Sequence, residues 1–152
     1  MKTTRLILSL ILLTAGLTSA NHAAAAERVS LRGILISASN TKRESDRRLA
    51  AYEPTLRSIL RFESYRYLGE DHTMLKASEK SELLVGDGLR LEIDTERADG
   101  QSAHIRVRWA TGGGKNLMGG AFVLRPGGAP VVLGGPASDN PGEVYAVILF
   151  AR

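Results

Sequence analysis

The sequence contains no cysteine, and only two of its three histidines, His72 and His104, lie beyond residue 26. Without thiols, no disulfide can staple the fold and no lipid can be attached to an N-terminal cysteine, so core burial alone must hold the chain together. Two histidines are too few for a histidine-based zinc site unless carboxylates complete it. No Gly-x-Ser-x-Gly elbow is present, and a Ser-His-Asp triad would have to recruit one of those two imidazoles. After residue 26 no apolar run is long enough to cross a bilayer as a helix. Neither a metal nor a cofactor is expected from these residues.

What the sequence does contain first is an export signal. Lys2 and Arg5 precede the apolar run Leu6–Leu17, and small residues follow at Thr18-Ser19-Ala20 and at Ala23–Ala26. A basic start, an apolar stretch of about a dozen residues and small side chains at the cut are the layout of a secretory signal peptide. The expected division is a signal peptide over 1–26 and one domain over 27–152, with cleavage within Ala24–Ala26 or, alternatively, after Ala20. Residues 27–152 hold 51 apolar residues in 126, about 40%, enough for one hydrophobic core. The formal charge of +4 falls to +2 once Lys2 and Arg5 are gone, with 18 basic residues against 16 acidic ones. So small an excess argues against nucleic acid as a partner, and any anion site must come from local clustering.

Hydrophobic periodicity then divides the domain. Val29–Ser37 is short, rich in Val, Ile and Leu, and closed by Ser39-Asn40-Thr41, which predicts a buried strand. Over Glu44–Arg61 the apolar residues Leu49, Tyr52, Leu56, Ile59 and Leu60 recur at three- and four-residue spacing, which predicts one amphipathic helix or two short ones. Pro54 either kinks that helix or stands in the first turn of a new one. Past Phe62 the period is two. Tyr65 and Tyr67, then Leu89, Leu91 and Ile93, then Ala103, Ile105, Val107 and Trp109 alternate with polar residues, as half-buried strands do.

Shorter strands are expected at Thr73–Ala77, Glu82–Val85, Leu117–Leu124 and Pro130–Leu133. Glu143–Ala151 is apolar on both faces and should be central or covered on both sides. Turn residues at Gly86-Asp87-Gly88, Asp99-Gly100, Gly112-Gly113-Gly114, Pro126-Gly127-Gly128 and Asn140-Pro141-Gly142 separate these runs. The fold class that follows is α+β: a β-rich single domain with one strand, one amphipathic helical segment, and then an antiparallel meander of six to eight strands. The helix should pack on one face of the sheet or plug one end. Sandwich and barrel both fit the alternation.

The chemistry-bearing candidates are few. Gly114-Lys115 resembles the end of a phosphate-binding loop, but Trp109 stands where the motif's first Gly belongs and Asn116 where its Ser or Thr belongs, so a hairpin turn is expected. Glu70-Asp71-His72 reads as an exposed turn. Glu92 and Asp94 share a strand face beside Arg90, Arg106 and Arg108, the pattern of cross-strand ion pairs on a solvated sheet. The main candidate for ligand binding is the set Arg90, His104, Arg106 and Arg108 on outward faces of neighbouring strands, joined by Arg28 and Arg32 if the first strand is adjacent. Guanidinium forks match phosphate and carboxylate oxygens.

The segment Phe62-x-Ser64-Tyr65-Arg66-x-Leu68 after an amphipathic helix, with Gly134-Gly135-Pro136 before an apolar terminal strand, resembles small exported bacterial proteins of unknown function that share a helix, a sheet and this F-x-S-Y-R-x-L segment. The resemblance spans most of Ile34–Phe150 and implies an envelope or periplasmic location and no catalytic residue. Val131-Val132-Leu133-Gly134-Gly135 also resembles the strand-plus-Gly-Gly endings of secretin channel proteins, although this chain is too short to be such a channel.

The expected function is a non-enzymatic periplasmic or secreted protein, a binding or accessory module for a protein assembly or an anionic envelope component, with free sheet edges as a further docking route. The alternative is a hydrolase of an envelope polymer using Glu92 or Asp94 with His104. Export is directly testable. N-terminal sequencing of protein recovered from the periplasm of a bacterial host is expected to begin within residues 25–27; intact Met1 in the membrane fraction would contradict the signal peptide.

Overall fold

The computed structural model describes residues 28–111 and 116–152. The expected signal peptide and the Gly112–Lys115 turn lie outside the described residues. Eight strands, one 3₁₀ turn and one α-helix follow in chain order: β1 (Arg28–Ser39), the 3₁₀ turn (Arg47–Leu49), α1 (Glu53–Leu60), β2 (Ser64–Lys76), β3 (Lys80–Gly86), β4 (Leu89–Ala98), β5 (Ala103–Thr111), β6 (Asn116–Leu124), β7 (Val131–Ala137) and β8 (Glu143–Ala151).

These strands form two antiparallel four-stranded sheets, ordered β2-β1-β8-β7 and β3-β4-β5-β6. The strands after the helix do not form the one continuous meander expected from the sequence. Only β3 to β6 run as a meander, while β8 returns to pair with β1, the first strand. β2 lies beside β3 and β6 beside β7 without a ladder between them, so no closed barrel forms among the described residues.

The two faces of β1 explain the layering. Val29, Leu31 and Leu35 point toward the second sheet and meet Leu91, Ile93, Val107 and Trp109 in one core. Ile34, Ile36 and Ala38 point the other way, with Ala146 and Ile148 of β8, and are covered by Leu49 of the 3₁₀ turn and Leu56 of α1. β8 is therefore central and covered on both faces, which is why Glu143–Ala151 is apolar throughout. The helical segment packs on the outer face of the first sheet. It breaks where Pro54 stands, in the first turn of α1, since proline needs no amide partner there. Asp46 starts the 3₁₀ turn by accepting a hydrogen bond from the Arg48 amide at 3.0 Å.

Two sequence readings change. Tyr65–Tyr67 and the expected strand Thr73–Ala77, as far as Lys76, belong to one strand, β2, whose register shifts at Leu35/Ile36 of its neighbour. The bulge interrupts the alternation at Leu68 and makes one strand look like two. Glu70-Asp71-His72 is accordingly mid-strand and not a turn. The expected hairpin turns are found where the backbone needs them: Gly86, Asp87 and Gly88 all have positive φ, and Asp99 Oδ1 accepts the amides of Gln101 at 3.0 Å and Ser102 at 2.8 Å.

The region around β7 supplies a stability test. A Cβ on Gly135 would lie 2.9 Å from both the Trp109 ring and the Tyr145 carbonyl oxygen, whereas one on Gly134 meets nothing within 4 Å. Urea unfolding is expected to show Gly135→Ala destabilised by roughly 1–3 kcal/mol, the cost of overpacking, and Gly134→Ala unchanged within about 0.5 kcal/mol. Equal effects would contradict this packing.

Candidate functional site

The arginines singled out from the sequence lie together, as expected, on the outer face of the second sheet. Register places Arg108 opposite Glu92 and Arg106 opposite Asp94, with His104 opposite Arg97. Lys80 and Glu82 of β3 face Asp94 and Glu92 from the other side. The guanidiniums are matched by carboxylates. Arg90 reaches Glu82 at 3.6 Å and Glu92 at 3.3 Å, Arg108 reaches Glu92 at 3.6 Å, and Arg106 reaches Glu96 at 2.6 Å. This is a balanced lattice of exposed ion pairs in which each arginine fork already holds an anion.

Arg28 and Arg32 do not extend that stripe, because β1 belongs to the other sheet. They mark a different surface. The helical segment covers only part of the first sheet's outer face, and the remainder carries Arg28, Ser30 and Arg32 of β1, His72, Met74 and Lys76 of β2, Phe150 of β8 and the following Arg152, as the register requires. Within it, Ser30, Arg32, Glu70, Asp71, His72 and Arg152 line a cleft of about 480 Å³. The guanidinium carbons of Arg32 and Arg152 lie 5.3 and 5.6 Å from the Phe150 ring centroid, and Tyr52 stacks on the same ring at 5.9 Å. Phe150 thereby gathers two cations.

Acidic partners are scarce on this surface. Glu70 pairs with Arg32 and Glu79 with Lys76, and no carboxylate among the described residues pairs with Arg28 or Arg152. Asp71, at the rim, spends its carboxylate on backbone amides, accepting from His72 at 2.8 Å and Leu84 at 2.9 Å. The second bond ties β2 to β3. At Gly69 the strands approach so closely that a Cβ would lie 2.9 Å from the Val85 carbonyl oxygen. These two edges therefore adjoin each other instead of offering a free ladder.

A second concave site lies at the opposite end of β1. Ser37, Ser39, Arg43, Glu44, Asp46, Ser64, Tyr65, Arg66 and Glu143 line a cleft of about 250 Å³. The loop after β1 forms one wall because Ser64 Oγ donates to the Thr41 carbonyl at 2.8 Å and the Tyr65 amide donates to Ser45 Oγ at 3.2 Å. Ser64, Tyr65 and Arg66 come from the F-x-S-Y-R-x-L segment. Both clefts were invisible to a linear reading, since each gathers residues from strands far apart in the chain.

Of the residues of the hydrolase alternative, Glu92 and Asp94 line a cleft of about 350 Å³ on the outer face of the second sheet, together with Lys80, Glu82 and Arg108, whereas His104 does not line it. Glu92 is held between Arg90 and Arg108. No group of three or more metal-ligating side chains occurs among the described residues. Comparison with protein-family models, curated proteins and solved structures finds no match for this chain.

Asp46, on the rim of the serine-lined cleft, offers a titration test. The Arg48 guanidinium, hydrogen-bonded to it at 2.7–3.2 Å, together with the Arg48 amide, holds its carboxyl down at about 2. A depressed carboxylate contributes stability above its ordinary value near 3.8 and loses it as pH falls through the folded value. Carbon-detected NMR is expected to give a midpoint of about 2 for Asp46, returning toward its ordinary value in Arg48→Ala. A wild-type midpoint near 4 would contradict the bond.

Proposed function

We propose that this is an exported, non-enzymatic binding module, and that it holds an anionic component of the cell envelope on the uncovered part of its first sheet. The observation that carries this reading is the contrast between the two outer faces. On the second sheet Arg90, Arg106 and Arg108 are matched by Glu82, Glu92 and Glu96. On the first, Arg32 and Arg152 converge on Phe150 with Glu70 as the one carboxylate paired at that point. A phosphate or carboxylate entering there gains the Arg152 fork, which has no carboxylate partner among the described residues, and shares Arg32 with Glu70.

The reading keeps the expected partner class and moves its site. Arg90, His104, Arg106 and Arg108 become a solvating face, and Arg32, His72 and Arg152 the ligand face. Export rests on the signal-like start of the sequence and on the resemblance to small exported proteins. The hydrolase alternative is less well supported, because His104 does not line the cleft that holds Glu92 and Asp94 and Glu92 is engaged by Arg90 and Arg108.

Fluorescence anisotropy with labelled polyphosphate and labelled polygalacturonate at low salt tests the assignment and separates phosphate from carboxylate recognition. Arg32→Ala/Arg152→Ala is expected to weaken binding at least about tenfold, roughly 1.4 kcal/mol, while Arg106→Ala/Arg108→Ala leaves it within about twofold. Added salt should weaken the wild-type complex. The reverse ranking of the two variants, or no binding to either probe, would overturn the proposal.

A further inference from the structure

The cleft at the other end of β1 has a different chemistry, and it does not depend on the reading above. Its charge is mixed and its floor is hydroxyl-lined. Ser37, Ser39 and Ser64 are 3, 8 and 7% exposed, so three hydroxyls stand at the floor of a space that water or a ligand can enter. Ser39 and Ser64 are engaged with the backbone of Thr41. The Ser37 hydroxyl makes no hydrogen bond to another described residue.

Glu143 is the second unusual group. Its side chain is 13% exposed, yet its partners are distant: Arg66 at 3.5 Å and the Asn140 amide nitrogen at 3.3 Å. A carboxylate this far out of water normally collects two or three short, charge-assisted bonds. Arg66, opposite Ser37 in the β1–β2 register, is 56% exposed at its side chain and so has donors to spare. Arg43 adds another guanidinium to the lining, with no carboxylate partner among the described residues. The cleft therefore presents under-bonded acceptors at Glu143, spare donors at Arg43 and Arg66, and a hydroxyl between them that serves as either.

We infer that this cleft binds a small zwitterion, an amino acid or the equivalent free end of a short peptide, with its ammonium on Glu143 and Ser37 and its carboxylate on Arg43 and Arg66. A cleft of about 250 Å³ lies just below the range for drug-sized ligands, which suits a molecule of this size. A purely anionic ligand would leave Glu143 without a donor, and a purely cationic one would meet two guanidiniums.

The test uses the full chain and the twenty L-amino acids, with D-alanine and D-glutamate, screened at millimolar concentration by two-dimensional amide NMR. At least one amino acid is expected to shift the Ser37, Arg66 and Glu143 resonances saturably. Its N-acetyl and its carboxamide derivatives should each bind about tenfold or more weakly, since each removes one charged contact. Arg43→Ala, on the exposed rim, should weaken the amino acid about tenfold and leave the fold intact; Ser37→Ala should do the same with a smaller loss. Glu143→Gln should abolish discrimination against the N-acetyl form even if it lowers stability. No saturable shift from any probe, or equal binding of free and N-acetylated forms to the wild type, would overturn the inference.

Discussion

β1 is a strand that needs cover on both faces, and the architecture follows from how that cover is supplied. Leu31 and Leu35 on one side and Ile34 and Ile36 on the other are each 3% exposed or less. Fully burying each such side chain is worth about 1.5–3 kcal/mol, so neither face can be left to water. The second sheet answers the inner face, and the 3₁₀ turn and α1 answer the outer one. The cover is unequal in length. A strand of 12 residues extends about 40 Å, whereas a helix of eight residues extends about 12 Å. The outer face must therefore change from apolar to polar partway along, and the sequence of β1 does so: Ile34, Ile36 and Ala38 lie under the helical segment, and Arg28, Ser30 and Arg32 beyond it.

This mismatch also shapes the electrostatics. On the second sheet no element among the described residues covers the outer face, and its arginines Arg90, Arg106 and Arg108 are paired with carboxylates of the same and neighbouring strands. On the first sheet the uncovered stretch is short and predominantly basic, and Phe150 gathers Arg32 and Arg152 at its ring. Two surfaces with similar numbers of arginines thus differ in what they offer a ligand, because Arg90, Arg106 and Arg108 are all paired with carboxylates whereas Arg28 and Arg152 have no carboxylate partner among the described residues.

Much of this was legible in the sequence. Period-two alternation located β4 and β5, the doubly apolar Glu143–Ala151 announced a central strand, and Pro54 marked either a kink or a new helix, of which the structure shows the second. β2 was split because its bulge breaks the alternation, and because Glu70-Asp71-His72 is polar on a strand that is exposed on one face and at one edge. The pairing of β1 with β8 was not legible, since nothing local links residues 28–39 to residues 143–151. The cleft lined by Arg32, His72 and Arg152 was not legible for the same reason. Arg90, Arg106 and Arg108 are close in sequence and drew attention, while Arg32, His72 and Arg152 meet only after folding. One signal was available: the switch from polar to apolar along the even positions of β1.

That the uncovered part of the first sheet is the binding face is the central proposal. Chemical-shift mapping of the isotope-labelled protein with unlabelled tripolyphosphate addresses it most directly. The Arg32, His72, Phe150 and Arg152 resonances are expected to move together with one affinity while those of Glu92, Arg106 and Arg108 stay fixed. Movement confined to the second sheet, or none on the first, would contradict it.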